Sequence, residues 1–259
     1  MLLLLLFVAF AVLATWRTIR AGRSASLVPV AVAPLQFDLQ GAAAHLGEAI
    51  RIPTIGSHED PEAAAAELAS FRDWLTDAYP AFHEQATREV IAGGTLLYEW
   101  PVRDASLAPM VLMAHQDVVP AEAEDRWSFP PFSGDLIDGA VAGRGALDNK
   151  GSLVAMLEAA EALAAAGERP ARTVIFVFGH DEEPLGEGAA AAAQVLAARG
   201  VQAEFVLDEG SFVIADHPVT GDAAALIGIT EKGYATVRVT ARAEGWHASA
   251  PPRDTAVGV

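Results

Sequence analysis

A chain of 259 residues holds one large domain, or one domain and part of a second. Its 34 acidic against 17 basic residues give a net charge of −17, and no basic patch interleaves with aromatics, which excludes a nucleic-acid ligand. Cysteine is absent, so disulfides, thiolate nucleophiles and cysteine-containing metal sites are excluded too.

The chain opens on MLLLLLFVAFAVLATW, an uncharged apolar run of 16 residues followed by Arg17, Arg20 and Arg23. Its length falls between a signal-peptide core and the ~20 residues of a membrane span. Residues 1–23 are therefore expected to be a membrane anchor or export signal, on a side of the membrane that the arginines do not fix. Residues 24–40, with Pro29 and Pro34 and no period, read as a linker.

From there the chain alternates. A helix is expected over 61–79, a strand over 95–100, and a strand buried on both faces over MVLMA at 110–114. A helix over 150–166 should stop at Gly167, a strand follow at 173–178, a helix at 187–199 and a strand at 203–207. Such alternation predicts an α/β fold, a mostly parallel sheet flanked by helices, as one catalytic domain over 41–230. Period-2 alternation in VRVTARA marks antiparallel strands in a second, smaller α+β lid or dimerisation domain that begins at 231 and is cut short at 259.

Each buried strand ends in residues that bind metals. His115 and Asp117 follow the first, His180 through Glu183 the second, Asp208 and Glu209 the third, and Asp148 lies in the glycine-rich GRGALDNKG. Ligands of parallel sheets gather beyond the carboxyl ends of the strands, so these groups should converge on one crevice. Carboxylates packed that closely must be protonated or neutralised by cations, and one histidine among several carboxylates suits a pair of divalent ions. Taken singly, HxD, DEE or GRG each has a bland reading as a strand cap or solvated loop. Four such clusters, in order at strand ends, do not.

MAHQDVVP, WSFPPFSGDLIDGAVAGRGALDNKGS, GHDEEPLGEGA, LDEGSF and EKGYATVRV with GWHASAPP resemble the co-catalytic dinuclear zinc peptidase family of carboxypeptidase S, aminoacylase and acetylornithine deacetylase. Within it they are most similar to the branch of the Gly-Xaa carboxypeptidases and N-fatty-acyl-amino-acid synthase/hydrolases. The resemblance implies two Zn2+ ions, with Co2+ or Mn2+ also admitted by the N/O donors. It implies His115 and Asp208 on the first ion, with Glu209 as the contender in the same turn, Asp148 as the bridge, and Glu183 on the second. Asp117 would orient the His115 ring, Glu182 would be the general base, and the peptide bond after Asp148 would be cis. His180 is read as structural.

The resemblance also implies that His247 reaches an active site, often across a homodimer interface, and polarises the scissile carbonyl. Here the usual Gly-Gly-His reads Gly245, Trp246, His247. A distant histidine completes the second site in the family, so the chain is expected to be a fragment, binding one ion more tightly than the other. The expected reaction is hydrolysis of an amide next to a free carboxylate, in a dipeptide or N-acyl amino acid. A two-metal aminopeptidase and a non-catalytic binding homologue are the alternatives.

Overall fold

The computed structural model describes residues 2–22, 38–57, 59–60, 62–102, 106–122, 126–210, 213–218, 221–229, 235 and 237–242. His247 and most of the expected lid lie outside the described residues.

α1 (Leu2–Gly22) exposes Phe7, Phe10 and Trp16. Its uncharged run ends where Arg17 begins, short of the ~20 apolar residues that span a bilayer. No helix among the described residues is long and apolar enough to cross a membrane. The globular part starts at α2 (Leu39–Ile50), earlier than the linker boundary at 40, because the Asp38 carboxylate accepts from Gln40 and Gly41 N–H and caps that helix.

α3 (Ala65–Ala78) lies within the helix expected over 61–79, and a separate α4 (Pro80–Gln85) follows it, with Pro80 in its first turn. The central sheet has the order β1 (Thr87–Ile91), β2 (Thr95–Trp100), β6 (Val174–Gly179), β3 (Met110–His115), β7 (Phe205–Leu207). Pairing is antiparallel from β1 to β2 and from β2 to β6, and parallel from β6 to β3 and from β3 to β7. Four strands thus share one direction and β2 opposes them.

β6 explains why its sequence is continuously apolar. Val174, Phe176 and Phe178 pack with Leu153, Leu157, Phe71 and Phe82 on one face, while Ile175 and Val177 pack with Ala192 and Leu196 on the other. The first face is covered by α5 (Lys150–Ala165), which ends at Gly167 with φ +73, and the second by α6 (Gly188–Ala198). The chain leaves β3 through α5 to reach β6 on one side, then returns through α6 to β7 on the other. A crevice therefore opens beyond the carboxyl end of β3, between its two neighbours.

Two small hairpins complete the described structure: β4 (Asp135–Ile137) with β5 (Ala140–Ala142), and β8 (Val213–Ile214) with β9 (Ala224–Ala225). The strands expected in VRVTARA differ from what is found. Residues 237–242 form no strand, and Val237 and Val239 are exposed, because no described segment lies alongside to complete a ladder.

Candidate metal centre

β3 and β6 run in parallel register with His115 opposite Gly179, so the loop after β6 starts level with the histidine. β7 flanks β3 on the other side, with Leu207 opposite Leu112, which brings the 208–209 turn to the same end. The glycine-rich loop preceding α5 supplies Asp148. The ends of β3 and β6, the loop after β6 and the 208–209 turn border a cavity of about 200 Å3 lined by His115, Glu182, Asp208 and Glu209.

Buried His115 is the centre of the group. Its Nε2 lies 2.9 Å from Asp148 Oδ1, 3.4 Å from Glu209 Oε1 and 3.9 Å from Glu182 Oε2. One ligand atom each from His115, Asp148 and Glu209 falls within 4.8 Å of the others. Nδ1 lies 3.0 Å from the Asp117 carbonyl oxygen and 3.4 Å from Asp117 Oδ1. A proton on Nδ1 donated to that carbonyl leaves the Nε2 lone pair facing the carboxylates.

Asp117, fully buried, is held in turn. Its Oδ2 accepts from Glu183 N–H, which fastens the loop after β6 to the loop after β3. Thr54 Oγ1 donates to the Gln116 carbonyl, and Val118 exchanges backbone bonds with Thr54 and Gly56. Glycine is needed at 56, where a Cβ would stand 3.0 Å from Asp117 Oδ2 and 2.9 Å from Pro184. Beyond Glu183, Gly188 N–H donates to the Asp181 carboxylate, so the DEE segment is a braced turn leading into α6.

The charges are strained by their surroundings. Burial pushes the Glu182, Glu183 and Glu209 carboxyls up, the neighbouring carboxylates add to this, and His115 opposes it. Burial alone would push His115 down, but Asp117, Glu209 and Asp148 together lift it to about 10. In the metal-free cluster the His115 imidazole is thus the positive charge that several carboxyls share.

Of the sequence-derived site residues, the structure brings together His115, Asp117, Asp148, Glu182 and Glu183. In the turn after β7 it is Glu209, the contender, whose carboxylate joins His115 and Asp148, whereas Asp208 Oδ1 accepts from Glu209 N–H at the rim. The peptide bond between Asp148 and Asn149 is cis. His180 Nδ1 lies 2.8 Å from Thr95 Oγ1, a structural contact.

Three supporting residues were not read from sequence. Gln116 donates to the carbonyls of Gly94, Phe178 and Gly179, tying the strand ends together. Asn149 reaches Glu209, and Lys150 Nζ donates to the carbonyls of Ala49 and Ile52 at the end of α2. Position next to the motif residues was the one available signal for each.

Lys150 is fully buried, and that burial pushes its ammonium down to about 7, with Asp117 opposing. Lys150→Met should cost about 1–3 kcal/mol by stranding two carbonyls. A lysine whose folded value lies below its ordinary 10.5 penalises the fold in full below pH 7 and is relieved as pH climbs from 7 toward 10. The stability gap between wild type and Lys150→Met, measured by urea unfolding in chelator, should therefore widen over that range. A gap independent of pH contradicts the burial of a charged amine there.

Comparison with known proteins decides what kind of site this is. Residues 111–255, 145 of the 259, match the model of Peptidase family M20/M25/M40. The chain belongs to this peptidase family. It is 40% identical over 264 residues to the mouse (Mus musculus) N-fatty-acyl-amino acid synthase/hydrolase, covering 99% of this chain and 51% of the relative. It is 36% identical over 223 residues to the probable carboxypeptidase S-like 2 of Dictyostelium discoideum, covering 84% and 43%. The chain thus spans about half the length of the curated relatives it matches. The fold is shared with human carnosine dipeptidase 1 (TM-score 0.54, 21% identity, 67% of this chain and 39% of that one). A metallo-carboxypeptidase of Sulfolobus solfataricus is similar in the same way (TM-score 0.54, 23% identity, 66% and 38%).

Membership of this metallopeptidase family implies a metal ion, typically zinc. The residues fit one: an imidazole nitrogen and carboxylate oxygens converge without sulfur, several carboxylates face the single imidazole, and buried Asp117 Oδ1 accepts no hydrogen bond among the described residues.

Proposed function

We propose that the protein is a two-metal hydrolase of amide bonds next to a free carboxylate, acting on N-acyl amino acids or small peptides. The observation that carries this reading is the meeting of His115 Nε2, Asp148 and Glu209 at the mouth of a cavity bordered by Glu182. The names of the mouse and Dictyostelium relatives supply the two substrate classes.

His115, Asp148 and one carboxylate of the 208–209 turn would hold one ion, and Asp148 and Glu183 the other. Bound divalent ions polarise a carbonyl and lower the pKa of water to about 7. Glu182, whose carboxyl is pushed up by burial and by its neighbouring carboxylates, would take the proton from the attacking water and return it to the leaving amine. Asp117 keeps the His115 ring fixed throughout. From the resemblance, His247 would donate to the scissile carbonyl oxygen across a homodimer interface. His247→Ala should accordingly lower turnover and leave metal content intact.

The test is turnover of N-fatty-acyl amino acids and Gly-X dipeptides, with and without chelator. Hydrolysis of substrates with a free carboxylate, abolished by chelator and weak on carboxyl-amidated analogues, is expected. Cleavage of aminoacyl anilides alone would mean an aminopeptidase, and two tightly held ions without turnover a binding protein.

For the N-terminal segment the proposal is attachment to a membrane or export, supported by the uncharged run and the exposed Phe7, Phe10 and Trp16. Removal of residues 1–23 should release the protein from the membrane fraction. Unchanged partitioning would exclude an anchor.

A further inference from the structure

Asn149 departs from the local rule for its position. It is the N-cap of α5, where asparagine is favoured because its side-chain oxygen accepts from the first free N–H groups of the helix. Here the side chain makes no such bond. The residue is fully buried, its Oδ1 accepts nothing among the described residues, and its Nδ2 instead donates to Glu209 Oε2. Helix α5 thus forgoes its cap and a buried acceptor goes unsatisfied, two losses that sequences tolerate where a site gains from them.

What gains is Glu209. It stands on a turn after β7, a three-residue edge strand exposed along its length, so the strand does little to fix the carboxylate. Among the described residues no other hydrogen bond reaches its carboxylate oxygens, and Oε1 is the atom 3.4 Å from His115 Nε2.

We propose that Asn149 is a positioning residue of the metal centre, holding one oxygen of Glu209 so that the other is presented beside His115 and Asp148. The inference rests on the reading of this cluster as a metal site. Asn149 touches no reacting atom and acts through Glu209 alone. It also explains why an asparagine rather than a serine or threonine stands before the helix, since only an amide offers an N–H that crosses to the turn after β7.

The experiment is a double-mutant cycle on zinc affinity, read by competition with a chromophoric chelator, with thermal unfolding of each variant in excess chelator. Asn149→Ala should weaken zinc about 10- to 100-fold, as loss of a supporting group typically does. Glu209→Gln should weaken it at least as much, and the double variant no further than Glu209→Gln alone. Asn149→Ser removes the amide but restores a helix cap. It should raise the unfolding temperature of the metal-free protein while weakening zinc, opposite signs that a purely structural role does not give. Additive losses in the cycle, or full zinc affinity in Asn149→Ser, overturn the proposal. If Glu209→Gln binds zinc as wild type does, Glu209 is not a ligand and the proposal falls with it. The metal-site reading itself falls only if His115→Ala also retains zinc.

Discussion

Glu182→Gln should leave metal content unchanged and lower turnover of the active enzyme about 10²- to 10⁴-fold, the usual range for a lost general acid–base. Its carboxylate is half exposed to the cavity, 3.9 Å from His115 Nε2, close enough to serve the centre without being consumed by it. Glutamine keeps the shape and cannot accept the proton. Glu183 is one residue on, and its backbone N–H is pinned to Asp117 Oδ2, which fastens it against the loop after β3. Glu183→Gln should therefore weaken a metal before it weakens chemistry. Metal analysis by plasma emission beside kcat separates the two, and equal metal loss in both variants would remove the division of labour.

His115→Ala should have the larger effect on binding and on the fold. It removes the one imidazole of the described site, so zinc affinity should fall by more than the ~10- to 100-fold of a supporting group. It also strips a buried carboxylate, Asp117, of the ring beside it, and breaking a buried pair costs about 3–5 kcal/mol. The sign with pH is the reverse of that at Lys150. His115 is lifted to about 10 when metal-free, so its contribution is complete below its ordinary 6.5 and is lost as pH rises through 10. In chelator, wild type should exceed His115→Ala by most at pH 6 and by least at pH 10. A gap that grows with pH would contradict the charged imidazole.

The strand ends were legible in the sequence because burial on both faces forces a continuous apolar run, and the polar residues at its end must leave the core. MVLMA and TVIFVF therefore pointed to His115 and Glu182 without a structure. Less visible was anything that depends on distant pairing. β1 reads TREVI, three polar residues and then two apolar ones with no alternation to mark a strand, and β4 with β5 lies inside a loop rich in proline and aromatics. VRVTARA has the period of a strand, but residues 237–242 have no partner among the described residues, and a strand is made by its partner. Asp208 and Glu209 are indistinguishable in chemistry. Which of the two carboxylates faces His115 depends on contacts distant in sequence, the pairing of β7 with β3 and the reach of Asn149 to Glu209. Lys150 and Asn149 carried no signal of their own because lysine and asparagine at a helix start ordinarily face solvent, and here both are fully buried.

Anomalous diffraction at the zinc edge, from crystals of the protein grown with zinc, tests the two-metal site most directly. A strong peak is expected within bonding distance of His115 Nε2 and Asp148, with a second peak on the far side of Asp148 toward Glu183, about 3.5–4 Å from the first. Absence of any ion bound by both His115 and Asp148 would contradict the metal centre, and with it the hydrolytic function proposed for this fold.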